Sequence, residues 1–457
     1  MRRIWTTTLI LCTTLVCSAG EVDIPQVFNA GLPVLQIETV NGEEPTADRL
    51  NPPEGGMGAT ITNVNKVPGR LTITIGGEMV YDSGEYIEKE SGITIRVRGN
   101  TSGYREKKPY KIKLQKKADL LFRGNDSVYK DKDWVLLKDE KLLTKVGFKI
   151  NELMEMQWTP AYQYVNVILN GEYKGFYMLV ESVSRNTKCR LNVSKTGFIF
   201  EYDPYWWNED VYVKSPTLSH SMHYTFKYPD SKDITEEQLD YFTDMITEAE
   251  YALKDGTYDK YIDMKSLTSW LLAQDILGQW DAGGANYYLT KYDDTRNSKI
   301  MMANLWDFDH ILTTENKWCG MHNRYFFFRE IINDGIFFKA YKKRFNEVSP
   351  AIFRDIISYL DQYAASEEAV AVNKSIELNN IRWDDDYEGV NENIDNAKDW
   401  FIRREVWMND TINGKSTGIM NIETEGADKT YYNLQGQRVA SPRHGLYIKD
   451  GKKIILK

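Results

Sequence analysis

Residues 93–114 read ITIRVRGNTSGYREKKPYKIKL. Apolar and polar side chains alternate at both ends of this segment, over 93–98 and 110–114, with the two-residue period of a half-buried β-strand. The polar residues between these ends are typical of a turn. The segment therefore predicts two strands joined by a polar turn.

Strand patterns continue on both sides of this segment. Further strands are predicted at 32–37, 71–75, 134–137, 164–169 and 175–180. The last two flank Asn170-Gly171, a dipeptide typical of a β-hairpin turn. One helix, over 142–156, is predicted from apolar residues at helical spacing. We therefore expect a strand-rich lobe with one helix over residues 21–184.

Helical periodicity dominates the next part of the chain, residues 185–415. Helices are predicted at 234–253, 264–277, 337–360 and 393–411, and two short strands at 286–290 and 299–303. A sheet-rich half followed by a helical half predicts an α+β fold with two lobes and a cleft between them. Residues 416–457 predict a small C-terminal β-module of two hairpins.

Composition narrows the class of protein. The chain has 457 residues, of which 42% are hydrophobic, so it can bury a large core. Its formal net charge of −9 and the lack of a basic stripe argue against nucleic acid as a partner. The pattern does not indicate an oligomeric state.

The first twenty residues have the pattern of a signal peptide. Arg2 and Arg3 precede an apolar run over 9–16, and small residues follow at 18–20. Because no other segment is apolar enough to span a bilayer, we expect an exported protein without a transmembrane segment, located in the periplasm, at the cell surface or outside the cell. Lipidation of Cys17 is a less favoured alternative, since no small residue precedes it.

Two segments carry candidate chemistry, WDAGGANYYL at 280–289 and NLWDFDH at 304–310. Asp281 stands five residues before Asn286, and the acidic residues Asp307 and Asp309 follow a predicted strand. Phosphoryl transfer needs these residue types, because one carboxylate orients the attacking hydroxyl while an amide and a carboxylate hold a metal ion. The alternative interpretation is that Asp281 caps a helix and the other two occupy a polar turn.

Candidate phosphate ligands lie in the segment quoted first. No GxGxxG or Walker loop occurs, and the turn that begins at Arg98 is the nearest equivalent. Lys111 and Lys113 alternate with apolar residues, so they share one face of their strand. A cleft-facing lysine suits a phosphate, but a solvated strand face would give the same pattern.

Several segments resemble the spore-coat CotH kinase family. They are 98–102, 107–114, 132–137, 170–181 and 306–309, in the family's order. The resemblance spans roughly residues 32–410. It implies an atypical protein-kinase fold and transfer of phosphate from ATP to Ser or Thr of proteins, with Mg²⁺ or Mn²⁺ as cofactor.

The resemblance also implies roles for individual residues. Asp281 matches the catalytic aspartate, and Asn286 resembles the asparagine that assists the metal. Asp307 resembles the metal-binding aspartate of a DFG-like segment, with Asp309 as a second ligand. Lys111 or Lys113 would bind the nucleotide phosphates, and the choice between them stays open.

Three further residues complete the expected site. Arg98 would help to bind the cofactor, Glu181 would begin the hinge between the lobes, and Glu152 would be the ion-pair partner on the helix over 142–156.

Two departures from the family pattern keep an alternative open. Thr144-Lys145 stands where many members have Arg-Asn, and two glycines, at 283 and 284, loosen the loop after Asp281. A non-catalytic surface-binding or adhesion protein on the same scaffold is therefore the alternative function. A glycoside hydrolase with Asp281 and Asp307 as its carboxylate pair is a weaker one.

The C-terminal segment has a resemblance of its own. The sequence YYNLQGQRV at 431–439 and the hairpin after it resemble the sorting modules of secreted Bacteroidetes proteins. This resemblance implies export, in agreement with the N-terminal pattern.

Overall fold

A computed structural model gives the architecture of the chain. It describes residues 20–124, 127–218, 222–281, 286–313, 317–318, 328–331 and 334–414, and the strands at 431–432, 438–439, 445–449 and 452–456. The predicted signal peptide falls almost wholly outside the described residues. The chain divides into two compact units, Met1–Ile402 and Arg403–Lys457.

Eight strands of the first unit form one mixed sheet. In chain order they are β1 (Val34–Thr39), β4 (Val67–Ile75), β5 (Glu78–Asp82), β6 (Ile93–Val97), β7 (Tyr110–Ala118), β8 (Asp131–Leu137), β9 (Tyr162–Leu169) and β10 (Glu172–Glu181). The strands β2 (Asp48–Leu50) and β3 (Thr60–Thr62) pair separately as a short ribbon. All of the strands predicted in this half are confirmed by the structure.

The sheet closes on itself. β1 pairs parallel with β9 and antiparallel with β4, so seven strands form a barrel and β5 extends from it. Alternate side chains of these strands, among them Ile95, Ile112 and Trp134, point inward and are fully buried. Their packing explains the two-residue sequence period, because every second residue enters the barrel core. The sequence patterns themselves do not predict the closure.

A second sheet and most of the helices follow. The sheet contains β11 (Phe198–Asp203), β12 (Tyr212–Lys214), β13 (His223–Tyr228), β14 (Tyr288–Lys291) and β15 (Ile300–Met302), in the order β12-β13-β11-β14-β15. The sequence analysis predicts only β14 and β15. The other three strands were not predicted. The sheet therefore has five strands instead of two, and this half of the chain is less helical than expected.

The described residues form eight helices. They are α1 (Ile24–Asn29), α2 (Leu143–Leu153), α3 (Glu236–Asp255), α4 (Met264–Leu277), α5 (Phe328–Ile331), α6 (Gly335–Ala364), α7 (Glu367–Trp383) and α8 (Val390–Asn413). Of the longer ones, only α7 was not expected. The α+β class is thus confirmed. In the described part of the chain, no helix combines the length and the apolar character needed to cross a membrane.

Helix α2 is held by the helices that follow it. The ammonium of Lys145 is buried, pairs with Glu368 over 3.0 Å and lies 3.8 Å from the ring centroid of Tyr363. One turn later, Lys149 lies over the ring of Tyr359. Helix α2 is therefore fixed on one side by the α6–α7 corner.

The second unit contains a small antiparallel sheet. Its strands are β16 (Tyr431–Tyr432), β17 (Arg438–Val439), β18 (Gly445–Lys449) and β19 (Lys452–Leu456), in the order β17-β16-β18-β19. The two predicted hairpins are present as the pairs β16–β17 and β18–β19.

Candidate active site

A cavity of about 150 Å³ opens between the turn after β6, helix α2 and the loops that flank β14 and β15. Its lining residues are Arg98, Gly99, Asn100, Thr101, Ser102, Pro109, Leu137, Lys138, Thr144, Phe148, Tyr205, Asp281, Asn286, Trp306, Asp307, Phe308 and Asp309. Five residues that the sequence analysis selects meet here: Arg98, Asp281, Asn286, Asp307 and Asp309. We call this space the carboxylate cavity.

Asn286 and Asp307 are in direct contact. The Nδ2 atom of Asn286 donates to Oδ2 of Asp307 over 2.9 Å. Both residues have left-handed backbone, with φ of 60° and 63°. This conformation is uncommon outside glycine but least unfavourable for Asn and Asp, and it is enriched at functional sites.

Gln279 joins the two loops that carry the acidic residues. Its buried side chain donates from Nε2 to the carbonyl oxygen of Asp307 over 2.7 Å, and its Oε1 accepts the N–H of Asp281 at 3.5 Å. The sequence analysis does not select Gln279. The sequence feature that could have identified Gln279 is its position, because it is a polar residue just beyond the end of α4, a helix that is almost wholly buried.

Phe308 anchors the acidic loop on helix α2. Its ring packs edge-on against Phe148, with centroids 5.4 Å apart, and lies directly on the backbone of Gly147. The Trp306 ring also packs against Phe148, with centroids 5.9 Å apart. The position of Asp307, between these two aromatic residues, is therefore fixed by packing on α2.

The carboxylates of the cavity repel one another. Asp307 lines the carboxylate cavity and is accessible to solvent. Partial burial and the nearby Asp309 raise the pKa of Asp307 to about 6. Burial also raises the pKa of Asp281, which His310 partly offsets. A cation bound here would relieve this repulsion.

The donor set fits a divalent cation that is shared with phosphate. Among the described residues, no group of three or more acidic, His or Cys side chains is arranged to hold an ion by itself. Mg²⁺, however, is usually bound by one or two carboxylates, with waters and substrate phosphates as its other ligands. Asp307, Asp309 and the free amide oxygen of Asn286 supply such a partial set.

Two cationic side chains line the carboxylate cavity. The Arg98 guanidinium makes no hydrogen bond or ion pair within the described residues, and burial lowers its pKa although Asp307 opposes this effect. Lys138, the other cation, is not among the residues that the sequence analysis selects. The sequence feature that could have identified Lys138 is its position directly after the apolar run of β8, at the end of the strand that lines the cavity.

The two strand lysines lie elsewhere. Lys111 pairs with Asp133 over 2.9 Å and lines a neighbouring, larger cavity. Lys113 is exposed and lines neither cavity, so the structure does not bring it together with the other predicted site residues. The two lysines share a face as predicted, but the cavity covers only the end of that face nearer to Lys111.

Two expected acidic residues have other partners. Glu181 is buried, pairs with Arg123 over 2.9 Å and lies outside both cavities. It stabilises the end of β10, and the next residues, Ser182 and Val183, line the larger cavity. Glu152 pairs with Lys149 on its own helix, and not with a strand lysine.

The larger cavity, of about 500 Å³, adjoins the first, and we call it the intersheet cavity. Both cavities are lined by Arg98, Gly99, Asn100, Tyr205, Asn286 and Trp306. Charged residues that the sequence analysis misses also line it, among them Glu201, Asp203 and Lys227. Burial and the nearby Glu201 raise the pKa of Asp203 to about 7. These residues lie on β11 and β13, two strands that the sequence pattern does not predict.

The fold and these two cavities can now be compared with known proteins. A model of the CotH kinase protein family matches residues 95–408, more than two thirds of the chain. The protein therefore belongs to the CotH kinase family. A comparison with the curated proteins found no significant match. The matched region contains every residue that lines the carboxylate cavity and most of those that line the intersheet cavity.

Proposed function

We propose that this protein is a kinase-like phosphotransferase that transfers the γ-phosphate of ATP to Ser or Thr of other proteins. The observation that carries the proposal is the direct contact between Asn286 and Asp307 in a cavity that also contains Asp281 and an unpaired Arg98. Family membership supports it. The two-lobed kinase architecture is part of the proposal: the barrel would be one lobe, and the second sheet with its helices the other.

The nucleotide would occupy both cavities. The apolar residue Val135 lines the intersheet cavity, next to the chain connection at Ser182 and Val183, and suits a flat base. The phosphates would then extend past Arg98 into the carboxylate cavity, where Lys138 is the second cation. Arginine and lysine are the usual protein partners of phosphate oxygens.

Asp281 would act on the acceptor. The hydroxyl oxygen of the acceptor attacks the γ-phosphorus, the bond from that phosphorus to the bridging oxygen breaks, and ADP leaves with the bond's electron pair. Asp281 accepts the hydroxyl proton, and the raised pKa of its carboxyl makes it a stronger proton acceptor than an ordinary aspartate. Asn286, Asp307 and Asp309 would hold Mg²⁺ or Mn²⁺, which would neutralise charge on the phosphate oxygens.

The place of action is also part of the proposal. The N-terminal signal pattern and the C-terminal β-sheet both support a protein that is exported and acts on secreted or surface proteins. The signal peptide itself lies outside the described residues.

Phosphate transfer tests this function directly. The purified protein is incubated with γ-labelled ATP and Mg²⁺ or Mn²⁺, with itself and co-purified secreted proteins as acceptors. We expect label on protein with the wild type and with Asp244→Asn, an exposed substitution on α3, and labelling slowed by roughly two orders of magnitude or more with Asp281→Asn. Metal-dependent ATP binding without any transfer would contradict the enzyme proposal and favour the binding scaffold.

A further inference from the structure

A buried acidic residue lies behind Asn286. Glu201, on β11, is 5% exposed, and its Oε1 accepts the backbone N–H of Asn286 over 2.9 Å. Its Oε2 pairs with Nζ of Lys227, on the neighbouring strand β13, over 3.1 Å. Each carboxylate oxygen therefore has its own partner, and one of these is the main chain of a residue in the carboxylate cavity.

The hydrogen bond to Glu201 holds Asn286 at a point where the backbone conformation is uncommon. Asn286 has left-handed backbone and is the first described residue after the gap at 282–285. Its conformation needs support from the surrounding structure. The hydrogen bond from Glu201 fixes the main chain of Asn286, and the same residue then presents Nδ2 to Asp307.

Lys227 places a positive charge beside the Glu201 carboxylate. Burial lowers the pKa of its ammonium, but Glu201, with Tyr288 and Asp203, raises it well above its ordinary value. The ammonium therefore stays protonated and stabilises the Glu201 carboxylate. A hydrogen bond to a charged acceptor is roughly twice as strong as one between neutral groups.

We infer that Glu201 is a positioning residue for the metal-binding asparagine. It holds the main chain of Asn286 so that the side chain meets Asp307, and Lys227 in turn holds Glu201. The inference rests on the proposed function, because it assumes that Asn286 and Asp307 bind a divalent cation.

Two double variants separate the effect of the hydrogen bond from the effect of the ion pair. Glu201→Leu with Lys227→Met and Glu201→Gln with Lys227→Met both remove the ion pair, but only the glutamine can accept the Asn286 N–H. Binding of Mn²⁺ alone to the full-length protein is measured by electron paramagnetic resonance. We expect the glutamine variant to bind Mn²⁺ about fivefold more tightly than the leucine variant, since one buried hydrogen bond contributes about 1 kcal/mol.

The control is Asp244→Asn, which changes an exposed carboxylate on α3 that lines neither cavity and should leave Mn²⁺ affinity unchanged. Equal Mn²⁺ affinity of the two double variants would overturn the inference.

A measurement on the wild type covers the case in which the variants do not fold. The Asn286 amide should exchange slowly with solvent deuterium in the metal-free protein, and fast exchange would also overturn the inference. If the wild type binds no Mn²⁺, the proposed function fails, and slow amide exchange would still support the role of Glu201 in positioning Asn286.

Discussion

The ring of Phe308 occupies the space that a side chain at Gly147 would need. Helix α2 and the acidic loop after β15 thus meet at a position where the helix has no Cβ. Because Phe308 follows Asp307 directly, a residue in the middle of α2 determines how closely the acidic loop can approach the helix.

Gly147→Ala should therefore destabilise the protein, although alanine is the better helix former. Overpacking at the Phe308 ring should lower the free energy of unfolding by about 1–3 kcal/mol and weaken metal-dependent ATP binding. Urea denaturation and calorimetry measure the two effects. The matched control is Gly335→Ala at the start of α6, where a Cβ would have open space. A more stable Gly147→Ala protein would contradict the close contact.

Asp281→Asn should lower the turnover of phosphate transfer by roughly two to four orders of magnitude, with little change in ATP affinity. The reason is that a group that accepts the hydroxyl proton acts mainly in the transition state. Steady-state kinetics with labelled ATP separates kcat from KM. A variant that retains full turnover would remove Asp281 from the catalytic role.

Asp307→Asn should have the opposite first effect, because it removes a charged ligand but keeps the shape of the side chain. Metal-dependent ATP affinity should fall by about tenfold or more, since carboxylate is the preferred ligand of Mg²⁺. Calorimetry with and without Mg²⁺ measures this. Unchanged circular dichroism would show that the fold is intact, and equal affinities for the metal–nucleotide complex would argue against a metal ligand at Asp307.

Lys138 and Lys113 should differ in their effect on ATP binding. Lys138→Met should raise the KM for ATP several-fold, because Lys138 lines the carboxylate cavity, whereas Lys113→Met should leave it unchanged, because Lys113 faces solvent outside both cavities. Kinetics on both variants under the same conditions decides the matter. The reverse result would restore the assignment made from strand periodicity.

Asp139 should make stability depend on pH. This buried carboxyl accepts hydrogen bonds from the Thr144 N–H at 2.7 Å and the Tyr164 hydroxyl at 2.7 Å, and burial raises its pKa to about 7. The folded state therefore binds a proton more tightly than the unfolded state, so this group's contribution is present at pH 4 and is lost as the pH rises to about 7.

Asp139→Asn removes this titration. The unfolding free energy of the wild type relative to the variant should fall by up to about 4 kcal/mol between pH 4 and pH 7 and then stay constant. Urea denaturation at several pH values measures it, with Asp244→Asn as the exposed control. A pH-independent difference between wild type and Asp139→Asn would contradict the raised pKa.

Local sequence pattern predicted the seven strands of the barrel but not the closure of the barrel. The two-residue period at β6 and β7 is visible because alternate side chains enter the barrel core. The pairing of β1 with β4 and β9 depends on contacts between distant parts of the chain, and no periodicity reports these.

The residues of the candidate site were also predicted only in part. Asp281, Asn286 and Asp307 were found because their types and spacing are those of phosphoryl transfer, and the structure brings them to one cavity. Lys138 and Glu201 were missed, because periodicity shows which residues share a face and does not show which part of the face a cavity covers. Only the packing of the second sheet brings Glu201 to Asn286.

The closed barrel also constrains the order in which the chain can fold. Val34 of β1 pairs with Asn166 of β9, 132 positions later. Domains fold during synthesis from the N-terminus, and such distant strand pairs form slowly. One edge of β1 must therefore stay without its partner until most of the N-terminal half has been synthesised. Residues 34–39 are the segment for which a chaperone would have most to protect in the nascent chain.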